Sequence, residues 1–86
     1  MKEVVFTSKF KKDFKKQSHH TEAALKDVIQ TLRAGKKLPP KYRDHKLLGD
    51  KNRYRECHLF PDTLLIYYVD ADVIKLIRIG SHSDLF

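Results

Sequence analysis

The chain has 86 residues and carries 18 lysines and arginines against 11 aspartates and glutamates, a formal net charge of +7 with neutral histidines. This length supports one domain spanning residues 1–86 and excludes a two-domain enzyme or a nucleotide-binding α/β fold with a substrate domain. The longest apolar run, Leu64–Val69, is too short to span a bilayer, which takes about 20 residues. Charged Lys2 and Glu3 follow Met1, so we expect no signal peptide and a cytoplasmic location.

The first predicted elements are a short strand and a helix. Residues Glu3–Thr7 are rich in valine and phenylalanine, which favours a strand. Ser8 is predicted to cap the following helix, because its hydroxyl can accept a bond from an orphan N–H group. In that helix Phe10 and Phe14 are four residues apart and would face the core together.

A second helix is predicted after a turn at Ser18–His20, with Thr21 as its cap. Its apolar residues recur at helical spacing and form one stripe: Leu25, Val28, Ile29 and Leu32. Gly35 is expected to end the helix, and the Pro39–Pro40 pair prevents its continuation. The first half of the chain therefore predicts a helical hairpin with one apolar face.

Three strands are predicted in the second half, over Tyr54–Leu59, Leu64–Asp70 and Val73–Ser81. Their connections are too short for parallel neighbours, which need a long crossover, so the strands form an antiparallel meander. The predicted fold class is α+β, in the order β-α-α-β-β-β, with the helical hairpin packed on one face of an antiparallel sheet.

Strand alternation assigns side chains to the two faces of this sheet. In the first meander strand Glu56 and His58 share a face, opposite Cys57. If the last strand is regular, one face receives Ile74, Leu76, Arg78, Gly80 and His82.

Two groups of cations suggest an acidic partner, which could be RNA, DNA, an anionic membrane or an acidic protein. The middle of the chain mixes arginine and lysine with aromatic side chains and His45, as a nucleic-acid surface does, and Arg43, Lys46 and Arg55 are its candidate substrate-binding residues. The other cations of this cluster are Lys36, Lys37, Lys41, Lys51 and Arg53. The lysines of Lys9–Lys16 form either a solvated helix face or a contact to RNA phosphates.

Three of the five histidines are candidates for chemistry: His45, His58 and His82 each stand near a turn or a strand end. Their separations match no compact zinc-ligand spacing, and Cys57 should point away from His58, so we expect no metal site and no cofactor. A single mid-strand cysteine also favours a buried, inert thiol over a nucleophile.

The remaining chemistry is metal-free cleavage of RNA, in which the 2′-hydroxyl attacks the neighbouring phosphorus. The protein must remove that proton, protonate the leaving 5′-oxygen and stabilise charge on the phosphate. Histidine suits both proton transfers, because its ordinary pKa lies near neutrality. Arginine suits the phosphate oxygens, because it is always charged and can bond bidentately.

Three stretches of the chain resemble the YafQ-type branch of the RelE-like bacterial toxins: YRDHKLLG at 42–49, YRECHLFPD at 54–62 and RIGSHSDLF at 78–86. The predicted order of elements is also similar to that fold, so the resemblance extends over essentially the whole chain. Toxins of this branch are the stable half of type II toxin–antitoxin pairs and cut messenger RNA on the translating ribosome.

The resemblance implies a catalytic set of His45, His58, Asp62 and His82. It also implies that Arg78 stabilises charge on the scissile phosphate and that Phe86 helps to hold a substrate base. On physical grounds we favour His82 as general acid, beside Arg78. The motif leaves open whether His58 or Asp62 takes the proton of the 2′-hydroxyl.

The expected function is thus a ribosome-dependent mRNA endoribonuclease, with mRNA and ribosomal RNA at the decoding site as partners, held inactive by an acidic antitoxin. Two other functions stay open: a non-catalytic toxin of the same fold, as in the ParE-like gyrase inhibitors, and a simple RNA-binding module. Replacing His82 by alanine separates them, because it should abolish the toxicity of an enzyme but hardly change the RNA affinity of a binder. Cleavage of free RNA without ribosomes is a further variant.

Overall fold

The computed structural model describes residues 2–47 and 53–86. Its elements in chain order are β1 Glu3–Phe6, α1 Ser8–Phe14, α2 His19–Arg33, a 3₁₀ turn Pro40–Tyr42, β2 His45–Lys46, β3 Arg55–Phe60, β4 Thr63–Val69, β5 Val73–Gly80 and α3 His82–Leu85. Lys51 of the predicted cationic cluster, and Leu48 and Gly49 of the first motif, lie outside the described residues. No helix within the described ranges is both long enough and apolar enough to cross a membrane.

The strands form one five-stranded sheet in the order β1-β5-β4-β3-β2. The α+β fold and the antiparallel pairing of β3, β4 and β5 confirm the prediction. The prediction of a wholly antiparallel sheet is wrong for β1, which lies parallel to β5 with Val4 opposite Ile74. Two helices and three strands separate β1 from β5 in the chain, so the parallel pairing has the long connection that it requires.

The core lies between the helices and one face of the sheet. The fully or nearly buried residues of this cluster are Phe10, Leu25, Val28, Leu32, Leu38, Tyr42, Cys57, Leu59, Leu65, Tyr67, Ile74, Leu76 and Ile79. The apolar stripe predicted for α2 is confirmed, because its residues are buried in this cluster or packed against it. Burying each large aliphatic side chain contributes about 1.5–3 kcal/mol. Burial also raises the pKa of the Cys57 thiol to about 12, as expected for an inert cysteine.

The two predicted helices, α1 and α2, begin earlier than the sequence suggested. The cap of α1 is Thr7, whose hydroxyl accepts from the Phe10 backbone N–H at 3.2 Å and donates to the Leu76 carbonyl at 2.8 Å. The cap position of α2 is Ser18, so the two histidines predicted to lie in a turn form the first turn of the helix. The predicted cap Thr21 is instead buried inside α2, where its hydroxyl donates to the Gln17 side chain at 3.1 Å.

The end of α2 confirms the role predicted for Gly35. Its φ of +73° lies in the left-handed region that glycine adopts without strain. The Lys36 N–H bonds the Thr31 carbonyl at 3.2 Å, and the Gly35 N–H bonds the Leu32 carbonyl at 3.0 Å. This pair of bonds is the Schellman arrangement, which satisfies carbonyls that the helix end would leave without partners.

An irregularity in β5 changes which face its side chains occupy. Tyr67 pairs with Leu76 while the preceding Ile66 pairs with Arg78, so Ile77 is an extra residue on β5. Leu76 and Ile79 consequently both point into the core, and Arg78 points to the opposite face of the sheet. The prediction that Ile74, Leu76, Arg78, Gly80 and His82 share one face is therefore wrong, because it assumed an unbroken alternation.

Candidate active site

The face of the sheet opposite the core carries the polar residues that the strands bring together. The β2–β3 register places His45 opposite Glu56, and the β3–β4 and β4–β5 registers place Glu56, Ile66 and Arg78 in one row across the sheet. Directly paired residues point to the same face. The bulge in β5 is thus what brings Arg78 to the face that holds His45 and Glu56.

Two histidines flank a buried carboxylate on this face. The Glu56 Oε1 atom lies 3.3 Å from His45 Nε2 and 3.5 Å from His58 Nε2. The Glu56 side chain is only 9 % exposed, whereas that of His45 is 53 % exposed. Imidazole and carboxylate side chains are the groups that enzymes most often use for proton transfer. This cluster is therefore a candidate for acid–base chemistry.

Local backbone structure orients the His45 ring. Its Nδ1 atom lies 3.1 Å from the Lys46 carbonyl, which can only accept, while its Nε2 atom faces Glu56. These two contacts hold the ring in one orientation. His58 is held differently: it lies within β3, two residues from Glu56, and is half-buried.

Arg78 is fixed by a carboxylate from α1. Its Nε and Nη2 atoms donate to the two oxygens of Asp13 at 2.6 and 3.1 Å, and the Ile79 N–H also donates to Asp13 at 3.2 Å. The hydrogen bond from Arg78 is the main reason why the pKa of Asp13 is lowered, and the same bond raises the pKa of Arg78. Arg78 therefore stays charged with its guanidinium held in one place.

Replacing Asp13 by asparagine should lower the free energy of unfolding by about 2 kcal/mol near neutral pH, because it removes charge-assisted bonds to Arg78. The folded-state pKa of Asp13 lies below its ordinary value of 3.8, so its contribution is present above that value and is lost as the pH falls through the folded pKa. Urea unfolding of both proteins should show a difference at pH 7 that shrinks in acid. A difference independent of pH would contradict this origin.

The C-terminal segment is shaped by a capping box. Ser81 Oγ accepts from the Asp84 N–H and Asp84 Oδ2 accepts from the Ser81 N–H, both at 3.1 Å. The resulting short helix α3 sets the His82 and Phe86 rings 5.1 Å apart, with Phe86 64 % exposed. A side chain at Gly80 would approach the Asp84 side chain to 3.2 Å, so glycine permits α3 to fold back closely on β5.

Sheet pairing relates this segment to the histidine cluster. Leu64 of β4 lies opposite both His58 and Gly80, so the C-terminal ends of β3 and β5 lie at the same end of the sheet. Asp62, which is exposed in the β3–β4 turn, and His82 both follow the strands at this end. Among the described residues, neither side chain has a hydrogen bond to the His45–Glu56–His58 cluster. Strand pairing thus brings Asp62 and His82 to the end of the sheet next to His58, as a group separate from the cluster.

The three predicted cations near the site differ in their surroundings. Arg55 alternates with Glu56 along β3 and donates to both oxygens of Asp44, at 3.2 and 2.8 Å. The Tyr67 hydroxyl donates to the same carboxylate, and burial together with Asp44 raises the pKa of Tyr67. Arg43 and Lys46 are exposed. Arg55 therefore belongs to a hydrogen-bonded network with Asp44 and Tyr67, whereas Arg43 and Lys46 are open to solvent.

Glu56 and Asp13 are the site residues that the sequence interpretation missed. Alternation along the strand already placed Glu56 beside His58, and a carboxylate in a predicted strand was a signal for a partnered charge. Asp13 had no such signal, because its contact with Arg78 joins residues 65 positions apart in the chain.

The same cluster has the make-up of a metal site. One donor atom each from His45, Glu56 and His58 lies within 4.8 Å of the others. Imidazole nitrogen and carboxylate oxygen are ligands that zinc and copper accept. The spacing argument against a metal site is therefore overturned for His45 and His58, because β2–β3 pairing joins residues that are separated in sequence.

Taken together, the fold and the site define a small basic α+β domain with an acid–base cluster and a fixed arginine on one sheet face. The family of bacterial toxins of type II toxin–antitoxin systems described as YafQ matches residues 2–86. The chain belongs to this family.

Several relatives are similar over their full length. The mRNA interferase toxin YafQ of Escherichia coli strain K12 is 31 % identical over 88 aligned positions, covering 99 % of this chain and 96 % of the relative. A metal-bound toxin from Helicobacter pylori is 38 % identical with a TM-score of 0.88, and each chain is covered in full. The E. coli DinJ–YafQ complex contains a chain 29 % identical, with a TM-score of 0.84 and coverage of 100 % of this chain and 99 % of that one.

Proposed function

We propose that this chain is an mRNA interferase, an endoribonuclease that acts in the cytoplasm on messenger RNA at the decoding site of the ribosome. The observation that carries the proposal is the buried Glu56 carboxylate between the His45 and His58 imidazoles. The activity named for the E. coli relative supports the same class of reaction. The net charge of +7 suits an RNA substrate and the ribosomal RNA around it.

The proposed reaction is attack by the 2′-oxygen on the adjacent phosphorus, with loss of the 2′-proton to a base on the protein. The bond to the 5′-oxygen breaks and that oxygen receives a proton, which leaves a 2′,3′-cyclic phosphate and a free 5′-hydroxyl. His58 is well placed to act as base, because Glu56 stabilises the imidazolium formed when it takes the proton. Asp62, at the same end of the sheet, is the alternative base, and His82 is the proposed acid.

Arg78 is proposed to stabilise the charge that develops on the phosphate. Asp13 occupies the Nε and one Nη of its guanidinium, and a guanidinium has five N–H donors. Donors therefore remain for phosphate oxygens while Asp13 prevents the side chain from rotating. A fixed donor costs no reorganisation during the reaction, which is the basis of electrostatic catalysis.

Substrate binding is assigned to the exposed groups around this centre. Phe86 presents an open ring next to His82, which suits stacking of a base. Arg43 and Lys46 are exposed cations suited to phosphates. Arg55 is proposed to act indirectly, by holding Asp44 next to His45.

An acidic antitoxin is the proposed protein partner. E. coli YafQ forms a complex with DinJ. In this chain the exposed lysines of α1 and of the residues that follow it offer a positive surface to such a partner. These lysines also suit contacts to ribosomal RNA phosphates, so the antitoxin and the ribosome would compete for the same surface.

Primer extension on a defined mRNA in a reconstituted translation reaction tests the function, with the unmodified chain and His82→Ala in parallel. We expect discrete breaks within codons for the unmodified chain, only with ribosomes present, and none for the variant. Intact mRNA with translation still blocked would refute the nuclease and indicate a binding mechanism. Breaks in naked mRNA would refute only the dependence on ribosomes.

Catalysis is proposed to be independent of metal ions, since the histidines and Arg78 supply the required proton transfers and charge. A chelator selective for zinc and copper, which leaves ribosomal Mg²⁺ in place, should not change the cleavage rate. Added Zn²⁺ should lower the rate severalfold, because a metal at His45, Glu56 and His58 would occupy the groups that transfer protons. Loss of cleavage on chelation, restored by Zn²⁺, would contradict metal independence.

A further inference from the structure

A cavity of about 680 Å³ lies between the first turns of α2, the 3₁₀ turn and the end of β3, with His58 in its lining. It is distinct from the His45–Glu56–His58 cluster, but His58 lines both. Its volume is typical of sites that hold a small organic ligand, which occupy about 300–1,000 Å³. Because His58 belongs to the proposed catalytic cluster and also lines the cavity, the cavity adjoins that cluster.

We propose that this cavity binds a nucleotide of the RNA next to the scissile phosphate, with its base against Phe60 and its phosphate at Lys41 and Arg43. The proposal rests on the proposed function and adds a substrate subsite to it.

The apolar part of the cavity suits a nucleobase. Its walls include Ala23 and Leu59, and Phe60 stands at its rim with 38 % of its surface exposed. The exposed part of the Phe60 ring is open to a planar group that enters the cavity. Stacking on such a ring accepts any base, because every base has a π-face.

The charge of the cavity suits a phosphate. Its lining includes the exposed cations Lys41 and Arg43 and no acidic residue among those that the structure describes. Arg55 and Arg78 are each held by two carboxylate oxygens, whereas the described residues offer no carboxylate to Arg43. The Arg43 guanidinium is thus available for an external anion.

Hydrogen bonds hold the framework of the cavity together. The Tyr42 hydroxyl donates to Asp27 at 2.6 Å, which ties the 3₁₀ turn to α2. The Arg43 N–H donates to the Pro40 carbonyl at 3.0 Å and closes that turn. A preformed site loses little conformational freedom when a ligand binds.

RNA is favoured over an acidic peptide because the cavity adjoins His58. A strand bound across the catalytic cluster must continue on either side of the scissile phosphate, and this cavity offers it a surface beside His58. An antitoxin segment would use the same cations without any need for that position. Mutating the cavity should therefore weaken mRNA cleavage if RNA binds there, and weaken antitoxin binding if an acidic peptide binds there.

The test uses the full chain in reconstituted translation and measures cleavage rate against toxin concentration. Phe60→Leu and Arg43→Gln should each raise the half-saturating concentration about tenfold, with the maximal rate and the pH profile unchanged. Phe60→Tyr should keep the half-saturating concentration of the unmodified chain, because tyrosine keeps the aromatic ring. The matched control is Phe6→Leu, which alters an exposed phenylalanine of β1, at the far edge of the sheet, and should leave the half-saturating concentration unchanged. Because the Phe6 ring packs against Phe10, urea unfolding first establishes that this control is folded.

The outcomes separate the cavity from the catalytic assignment. Normal half-saturating concentrations for both variants, with the unmodified chain active, would overturn the cavity proposal alone. Weakened antitoxin binding with normal cleavage would also overturn it, in favour of an acidic peptide as occupant. No cleavage by the unmodified chain would overturn the proposed function and the cavity proposal with it.

Discussion

Replacing Glu56 by glutamine should lower the rate of mRNA cleavage by about 10²-fold or more while the chain stays folded. Glutamine has nearly the same shape and keeps an oxygen near the two imidazoles, so packing changes little. The variant removes the negative charge that lies 3.3 Å from His45 and 3.5 Å from His58. The imidazolium formed when a histidine takes the substrate proton would then lack its counter-charge.

The measurement is the cleavage rate in reconstituted translation at saturating toxin, so that binding does not limit it. Glu22→Gln is the matched control, because it makes the same change at an exposed residue of α2 that pairs with Lys26 at 3.8 Å. The control should keep full activity. Near-normal cleavage by Glu56→Gln would show that the carboxylate is a structural partner of the histidines and takes no part in proton transfer.

The sequence was informative where one local rule decided the outcome. The stripe of apolar residues in α2 fixed which side of that helix is buried, and Gly35 ended it through a backbone conformation that other residues resist. Alternation along β3 separated Cys57, which is fully buried, from the face of Glu56 and His58. Each of these features depends only on residues close in the chain.

Features that depend on distant residues could not be predicted in the same way. Strand β2 has only two residues and exists because β3 offers it an edge, with His45 opposite Glu56. The extra residue Ile77 in β5 changes the face of Arg78, and nothing in the local pattern marks it. The contacts that shape the candidate site thus arise from pairing register, which sequence periodicity alone does not determine.

The position of His45 depends on a network that reaches into the core. Asp44, the residue before it, accepts from Arg55 at 2.8 and 3.2 Å and from the Tyr67 hydroxyl. Tyr67 is almost fully buried and Arg55 is three-quarters buried, so these bonds tie a two-residue strand to the rigid centre of the sheet. Stability and the placement of a proposed catalytic group are thereby linked through one carboxylate.

Replacing Asp44 by alanine should therefore lower the free energy of unfolding by about 3 kcal/mol, because it leaves a partly buried guanidinium and a buried hydroxyl without their acceptor. Tyr67→Phe removes only one of the three bonds and should cost about 1 kcal/mol. Urea unfolding of the two variants measures both values. Cleavage by Asp44→Ala should also fall at temperatures where the variant is still folded, because His45 loses its support.

A double variant identifies the source of the loss. Adding Arg55→Met to Asp44→Ala removes the charge that the single variant leaves unpaired, so the double variant should be less destabilised than the sum of the two single changes. Strictly additive losses would mean that Asp44 and Arg55 stabilise the fold independently. In that case the 2.8 Å contact between them would contribute little, and the support of His45 would have to come from the Tyr67 hydrogen bond to Asp44 and from the β2–β3 pairing.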